Sequence, residues 1–180
     1  DIVGFSRKMR RDDRATTERV VHFHEEVQTL VDSHGGRVVD TAGDSVFAVF
    51  DSIVVALECA SALQGWLAKD DGPDRIMVRI GLHFGDVLIH GDDLYGDGVN
   101  IAARLEQMAP PGGIAVSDVV FQEVSGRVPF RDAGPQSLKN IDRPGSLQHW
   151  AVAAVGPNDR MELSLGAVHG VGEEPKHHYS

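Results

Sequence analysis

The chain has 180 residues, 42% hydrophobic and 24% charged, with a formal net charge of −10. That length fits one domain whose core is large enough to fold without staples. The acidic balance excludes a partner held by its phosphate backbone, since nucleic-acid binding needs a basic face to release counterions, so an anionic substrate must be met by local donors or by metal.

The opening Asp1-Ile2-Val3-Gly4-Phe5-Ser6 reads as the end of a strand whose earlier residues precede the sequence, and hence as part of a longer protein. Across residues 14–34 the apolar positions Val20, Phe23, Val27, Leu30 and Val31 recur at helical spacing, with Asp12 or Asp13 as N-cap and Gly35-Gly36 closing the end. Residues 37–41 and 46–50 are β-rich runs around Ala42-Gly43-Asp44-Ser45, which predicts a hairpin with an exposed carboxylate at its tip. Asp51-Ser52 can cap a second helix running to about residue 69, ended by Asp70-Asp71-Gly72-Pro73. The single cysteine, Cys59, falls in this helix; it cannot form an intrachain disulfide and reads as a small buried hydrophobe.

Residues 76–84 and 87–90 read as another strand pair, followed by a Gly- and Asp-rich turn at 91–98 and a helix over 99–108 that Pro110-Pro111-Gly112-Gly113 stops. A short strand at 114–116 leads to Ser117, the expected N-cap of a helix over 118–124, and further β-rich runs lie near 128–131 and 147–152. Hairpins mixed with packed helices predict an α+β domain over 1–155. Residues 156–180 carry Gly, Pro, His and charge without a sustained period, so they are expected to be a flexible tail decorated by His169, His177 and His178. No stretch approaches the roughly 18 apolar residues of a membrane span, and no leader pattern opens the chain, so this segment is expected to be cytoplasmic, with any membrane attachment supplied elsewhere in a longer protein.

Several residues could carry chemistry. Asp1 and Asp44 stand at a predicted strand end and a predicted hairpin tip, places that neighbouring strands of one sheet can bring together. Such a pair could hold a divalent ion, because magnesium prefers one or two carboxylates plus phosphate oxygens; taken alone, two loop aspartates are ordinary turn residues. The Gly4-Phe5-Ser6 step could aim backbone N–H groups at phosphate, although an ordinary turn explains it equally. Asn100 and Arg104, four apart, share one helical face. An arginine there could stabilise charge on a phosphoryl group in flight, the alternative being a surface arginine paired with Glu106 or Asp97.

Taken in order, Asp1-Ile2-Val3-Gly4-Phe5-Ser6, Thr41-Ala42-Gly43-Asp44 and Tyr95-Gly96-Asp97-Gly98-Val99-Asn100-Ile101-Ala102-Ala103-Arg104 resemble the signature segments of class III adenylate and guanylate cyclases. The resemblance extends through Arg79-Ile80-Gly81-Leu82-His83-Phe84-Gly85-Asp86-Val87 and Leu138-Lys139-Asn140, covering residues 1–153. It implies a ferredoxin-like fold and conversion of ATP to 3′,5′-cyclic AMP and pyrophosphate for intracellular signalling. It also implies a homodimer in which Asp1 and Asp44 of one chain face Asn100 and Arg104 of the other. On this likeness Asp1, Asp44 and the Ile2 carbonyl would bind two Mg2+ or Mn2+ ions, and the Phe5 and Ser6 amides would touch phosphate. Asn100 would orient the ribose, Arg104 would stabilise the α-phosphate, and Lys139 would reach the terminal phosphates. Asp93 matches the family's base-reading aspartate.

One departure bears on substrate. Asp40 stands where adenylate cyclases of this family carry a base-reading lysine, and an ionised carboxylate accepts hydrogen bonds but cannot donate one to adenine's ring nitrogen. Guanine offers donors to a carboxylate, so GTP is the alternative substrate. A non-catalytic domain that binds nucleotide or dimerises, signalling to other domains of the full-length protein, is the alternative function. A dinucleotide cyclase would carry a Gly-Gly-Asp/Glu-Glu-Phe hairpin, which this sequence lacks.

Overall fold

The computed structural model describes residues 1–85, 88–90, 93–124, 148–155 and 161–168. After an isolated antiparallel bridge between Ile2 and Val78, the chain turns through Gly4 into α1 (Phe5–Arg11). Helix α2 (Asp13–Ser33) begins where its sequence predicts, because the Asp12 carboxylate accepts from the Ala15 N–H at 3.0 Å. It ends as predicted too. Gly35, at φ 68°, lets the Gly36 N–H reach the Val31 carbonyl (2.9 Å) and its own N–H reach that of Asp32 (3.0 Å), which satisfies two orphan carbonyls of the last turn.

Strands β1 (Arg37–Ala42) and β2 (Ser45–Val49) form the expected hairpin, Ala42 opposite Ser45, with a register shift between Val38 and Asp40. Helix α3 (Ile53–Leu67) is capped by Ser52, whose hydroxyl accepts from Val55 at 3.5 Å. Its buried Gln64 amide donates to the carbonyls of Val78 and Gly113, both at 3.2 Å, and so ties this helix to two strands. Then come β3 (Ile80–Leu82), β4 (Leu88–His90), β5 (Asp93–Tyr95), α4 (Asp97–Met108), β6 (Gly113–Ser117), α5 (Asp118–Val124), β7 (Gln148–Val155) and β8 (Met161–Val168). The order β3-β6-β7-β8 makes one sheet, parallel at β3·β6 and antiparallel elsewhere.

Two apolar cores hold these layers together. Leu57 and Ala60 of α3 pack with Ile114, Val116, Val120 and Val124. Phe23, Val27 and Val31 of α2 pack with Cys59, Leu67, Ile2 and Val78, so the bridge that carries the first residues is anchored in the second core. Cys59 is buried, as expected, and burial pushes its thiol pKa up. The fold is α+β, and no helix among the described residues is long and apolar enough to cross a membrane.

Three local expectations are corrected. Residues 76–84 do not pair with 87–90. Instead β3 lies parallel to β6, and β4 makes its own hairpin with β5, Leu88 opposite Tyr95 and His90 opposite Asp93. The backbone before β3 already has partners, since Val78 accepts from Gly112 (2.9 Å) and Met77 from Val3 (2.8 Å). Ser117 does not cap α5 through its side chain; its Oγ is buried without a hydrogen-bond partner among the described residues. Residues 161–168, expected within a flexible tail, form β8, paired with β7 from Gln148·Val168 to Val155·Met161. Met161, Leu163, Leu165 and Ala167 alternate with Glu162, Ser164, Gly166 and Val168, the period of two that a strand requires. Residues 128–131, His169, His177 and His178 lie outside the described residues.

Candidate functional site

Asp1 is fixed by its backbone. The Arg79 N–H donates to the Asp1 carbonyl at 2.9 Å and the Asp1 amino group donates to the Arg79 carbonyl at 3.2 Å, so the two residues sit opposite each other across two antiparallel segments. Side chains of directly opposed residues share one face. Ile2 is 2% exposed, and its carbonyl receives the Phe5 N–H at 3.4 Å. Phe5 and Ser6 open α1, where N–H groups have no carbonyl four residues back within the helix.

Asp44 arrives from the β1–β2 tip, half-buried rather than exposed. Its charge acts on Glu106 of α4 and on His24 of α2. Burial pushes the Glu106 carboxyl pKa up; the Arg79 guanidinium opposes that shift, and Asp44 reinforces it. Burial lowers the His24 pKa against the pull of Asp44, and burial alone lowers that of His83. Beside these groups opens a cleft of about 830 Å³ lined by, among others, Asp1, Phe47, Arg79, Phe84 and Glu106. Among the described residues no three His, Cys, Asp or Glu side chains gather closely enough to cage an ion. Two carboxylates and one carbonyl are a donor set of the kind that magnesium accepts when phosphate oxygens complete it.

The other predicted residues, Asn100 and Arg104, lie on α4. On β3, Gly81 lies so close beneath the helix that an added Cβ would overlap the Ala102 carbonyl and the Glu106 nitrogen. Gly98, Val99, Ala102, Ala103, Glu106 and Gln107 of the helix line the cleft, and Leu105 is completely buried. Residues two apart on a helix point about 160° apart, which sends Arg104 away from Glu106. Arg104 is half-buried and Asn100 exposed, neither lines the cleft, and Arg104 has no ion-pair partner among the described residues.

The base-reading candidates fall elsewhere. Asp40 is exposed on β1 opposite Phe47, and Asp93 opens β5, which lies against β1. Lys139 lies outside the described residues. The sequence reading assigned no role to Arg79, whose buried Nε has no partner, and treated Glu106 only as a possible mate for Arg104. The helical wheel alone places Glu106 and Arg104 on opposite faces.

Comparison with known proteins gives concordant results. The adenylate and guanylate cyclase catalytic-domain family matches residues 1–153. A putative adenylate cyclase 3 of Rhizobium meliloti is 43% identical over 167 residues, covering 89% of this chain and 28% of that protein. An adenylate cyclase of Streptomyces coelicolor is 36% identical over 124 residues, covering 68% of this chain and 32% of that protein. Thus the chain spans about a third or less of these two relatives. Among solved structures, an adenylate/guanylate cyclase/hydrolase from Silicibacter pomeroyi superimposes with a TM-score of 0.72 at 40% identity, covering 80% of this chain and 88% of that one.

Proposed function

Since this chain belongs to the adenylate and guanylate cyclase catalytic domains, we propose that it converts ATP to 3′,5′-cyclic AMP and pyrophosphate by in-line attack of the 3′-hydroxyl on the α-phosphate. What supports this reading is the family match over residues 1–153, together with a cleft that Asp1, Arg79 and Glu106 line and the charge of Asp44 reaching Glu106. Asp1, Asp44 and the Ile2 carbonyl would hold two Mg2+ or Mn2+ ions. When bound, such ions lower the pKa of the attacking hydroxyl and neutralise charge on the leaving pyrophosphate.

The chain's own groups do the rest. The Ser6 amide would face phosphate oxygens, joined by the Phe5 amide once it leaves the Ile2 carbonyl that it meets at 3.4 Å, and Lys139 would reach the terminal phosphates. Asn100 holds the ribose so that its hydroxyl is aligned, and the Arg104 guanidinium meets the charge that grows on the α-phosphate. Asn100 and Arg104 do not line the cleft that Asp1 lines, which favours a reading in which one chain does not unite all four groups. A two-fold homodimer does, and its symmetry gives two equivalent sites, each with Asp1 and Asp44 from one chain and Asn100 and Arg104 from the other.

ATP is favoured because the two relatives above are named adenylate cyclases and because the Asp93 carboxylate suits adenine's amino group. GTP is the second reading, favoured by the exposed carboxylate of Asp40. The test is product formation by the purified chain with ATP or GTP and Mn2+ or Mg2+. Cyclic AMP supports the proposal and cyclic GMP reassigns the base. No product from a folded dimer overturns catalysis in favour of a nucleotide-binding regulatory domain. Asp40→Lys should raise the ATP-to-GTP ratio by roughly tenfold or more, the value of one charge-assisted hydrogen bond.

A further inference from the structure

Arg79 lies opposite Asp1 and lines one cleft with Asp1 and Glu106. It is the backbone partner of Asp1, with both hydrogen bonds made, and so shares a face with the Asp1 side chain. It is also two residues before Gly81, which puts its side chain on the face of the strand that α4 covers. From α4 comes Glu106, whose backbone nitrogen is pressed against Gly81 and whose position is therefore set by the packing of helix on strand. Asp44 completes the group from the hairpin tip.

One guanidinium thus has two candidate anions beside it, Asp1 and Glu106. In the structure it closes an ion pair with neither, and its Nε is buried without a partner. If Arg79 paired with Asp1, it would neutralise one of the two carboxylates that the proposed metal site needs. We propose that Glu106 is a positioning residue of that site, the counter-anion that takes the Arg79 guanidinium and so leaves the Asp1 carboxylate free for a divalent cation. This deepens the functional reading above and rests on it.

Titration with Mn2+ in the presence of 3′-deoxy-ATP, which lacks the attacking hydroxyl, tests this directly, with bound Mn2+ read by electron paramagnetic resonance. Glu106→Gln should weaken Mn2+ binding by about 10- to 100-fold, the usual effect of removing a group that orients a metal ligand. Glu106→Asp should recover part of the loss. Removing the competing cation as well, in the double variant Glu106→Gln with Arg79→Gln, should return the affinity toward that of the unmodified chain; a purely structural role for Glu106 would not be rescued this way. Should Glu106→Gln fail to fold, Arg79→Gln alone decides, because it should bind Mn2+ at least as tightly as the unmodified chain. Unchanged affinity in Glu106→Gln, or weakened affinity in Arg79→Gln, overturns the role of Glu106. Absence of Mn2+ binding in the unmodified chain overturns the metal-site reading itself.

Discussion

The cleft face of α4, with Gly98, Ala102 and Glu106, and its outward face, with Asn100 and Arg104, are built in different ways. The cleft face is pressed onto β3 at Gly81, and the charges beside it act on one another. The outward face presents an exposed amide and a guanidinium with no ion-pair partner among the described residues. A side chain whose interactions lie within the chain contributes to folding as well as to chemistry. One whose partners lie beyond the chain contributes to folding very little, and its use must be sought in what it meets there. The same helix thus bears on two proposed active sites, through Glu106 on one side and through Asn100 and Arg104 on the other.

Substitutions on the two faces should separate accordingly. The largest effect is expected from Arg104→Ala on the outward face, with cyclase turnover falling by roughly 10³-fold or more, as when a phosphoryl-stabilising arginine is lost. Its thermal stability should stay within about 0.5 kcal/mol of the unmodified chain, the usual range for surface changes. A large loss of Tm would show that Arg104 is structural and erase the contrast between the faces.

Gly81→Ala strikes the cleft face. The new methyl must displace helix backbone rather than a flexible side chain, so it should cost about 1–3 kcal/mol. A Tm lower by several degrees, together with reduced turnover, would sharpen the comparison; an unchanged Tm would mean that α4 does not rest on β3 this closely. Asp12→Ala, at the start of α2 and on neither face, should remove the cap of Ala15 and cost about 1 kcal/mol in a denaturant titration, with kcat unaltered.

The smallest effect concerns pH. Burial lowers the pKa of both His24 and His83 in the folded chain, while in the unfolded chain they titrate near 6.5. Below that value the unfolded state binds more protons, so stability is complete above pH 6.5 and declines as the pH falls toward the lowered folded values. Tm measured from pH 7.5 to 5.5 should fall, and His83→Phe should flatten part of the fall.

Much of this was legible in the sequence because it is local. The stripe of Phe23, Val27 and Val31, the Asp12 cap and the Gly35-Gly36 stop defined α2 almost to the residue, and Asp44 was placed at its turn by the flanking β-rich runs. What was not legible depends on pairings between distant segments. That Asp1 is opposed by Arg79 follows from the Ile2·Val78 bridge, and the choice of β5 over β3 as the partner of β4 turns on which edges are already taken. Glu106 joins the site only because Gly81 lets α4 come down onto β3, a contact that no local pattern announces. The strand β8 is obscured for a different reason: its alternation from Met161 to Ala167 is plain, but it is flanked by Gly, Pro and His residues that read as a tail.

The central claim is that each site is divided between two chains, and it is tested most directly by mixing two inactive variants. Asp44→Ala and Arg104→Ala should each be inactive as homodimers. After mixing and exchange, half the dimers are mixed, and each mixed dimer holds one site with Asp44 and Arg104 both intact, so turnover should return to about a quarter of that of the unmodified chain. If the mixture stays as inactive as its components while dimers demonstrably exchange, then Asp44 and Arg104 act from the same chain, and the division of labour across α4 is wrong.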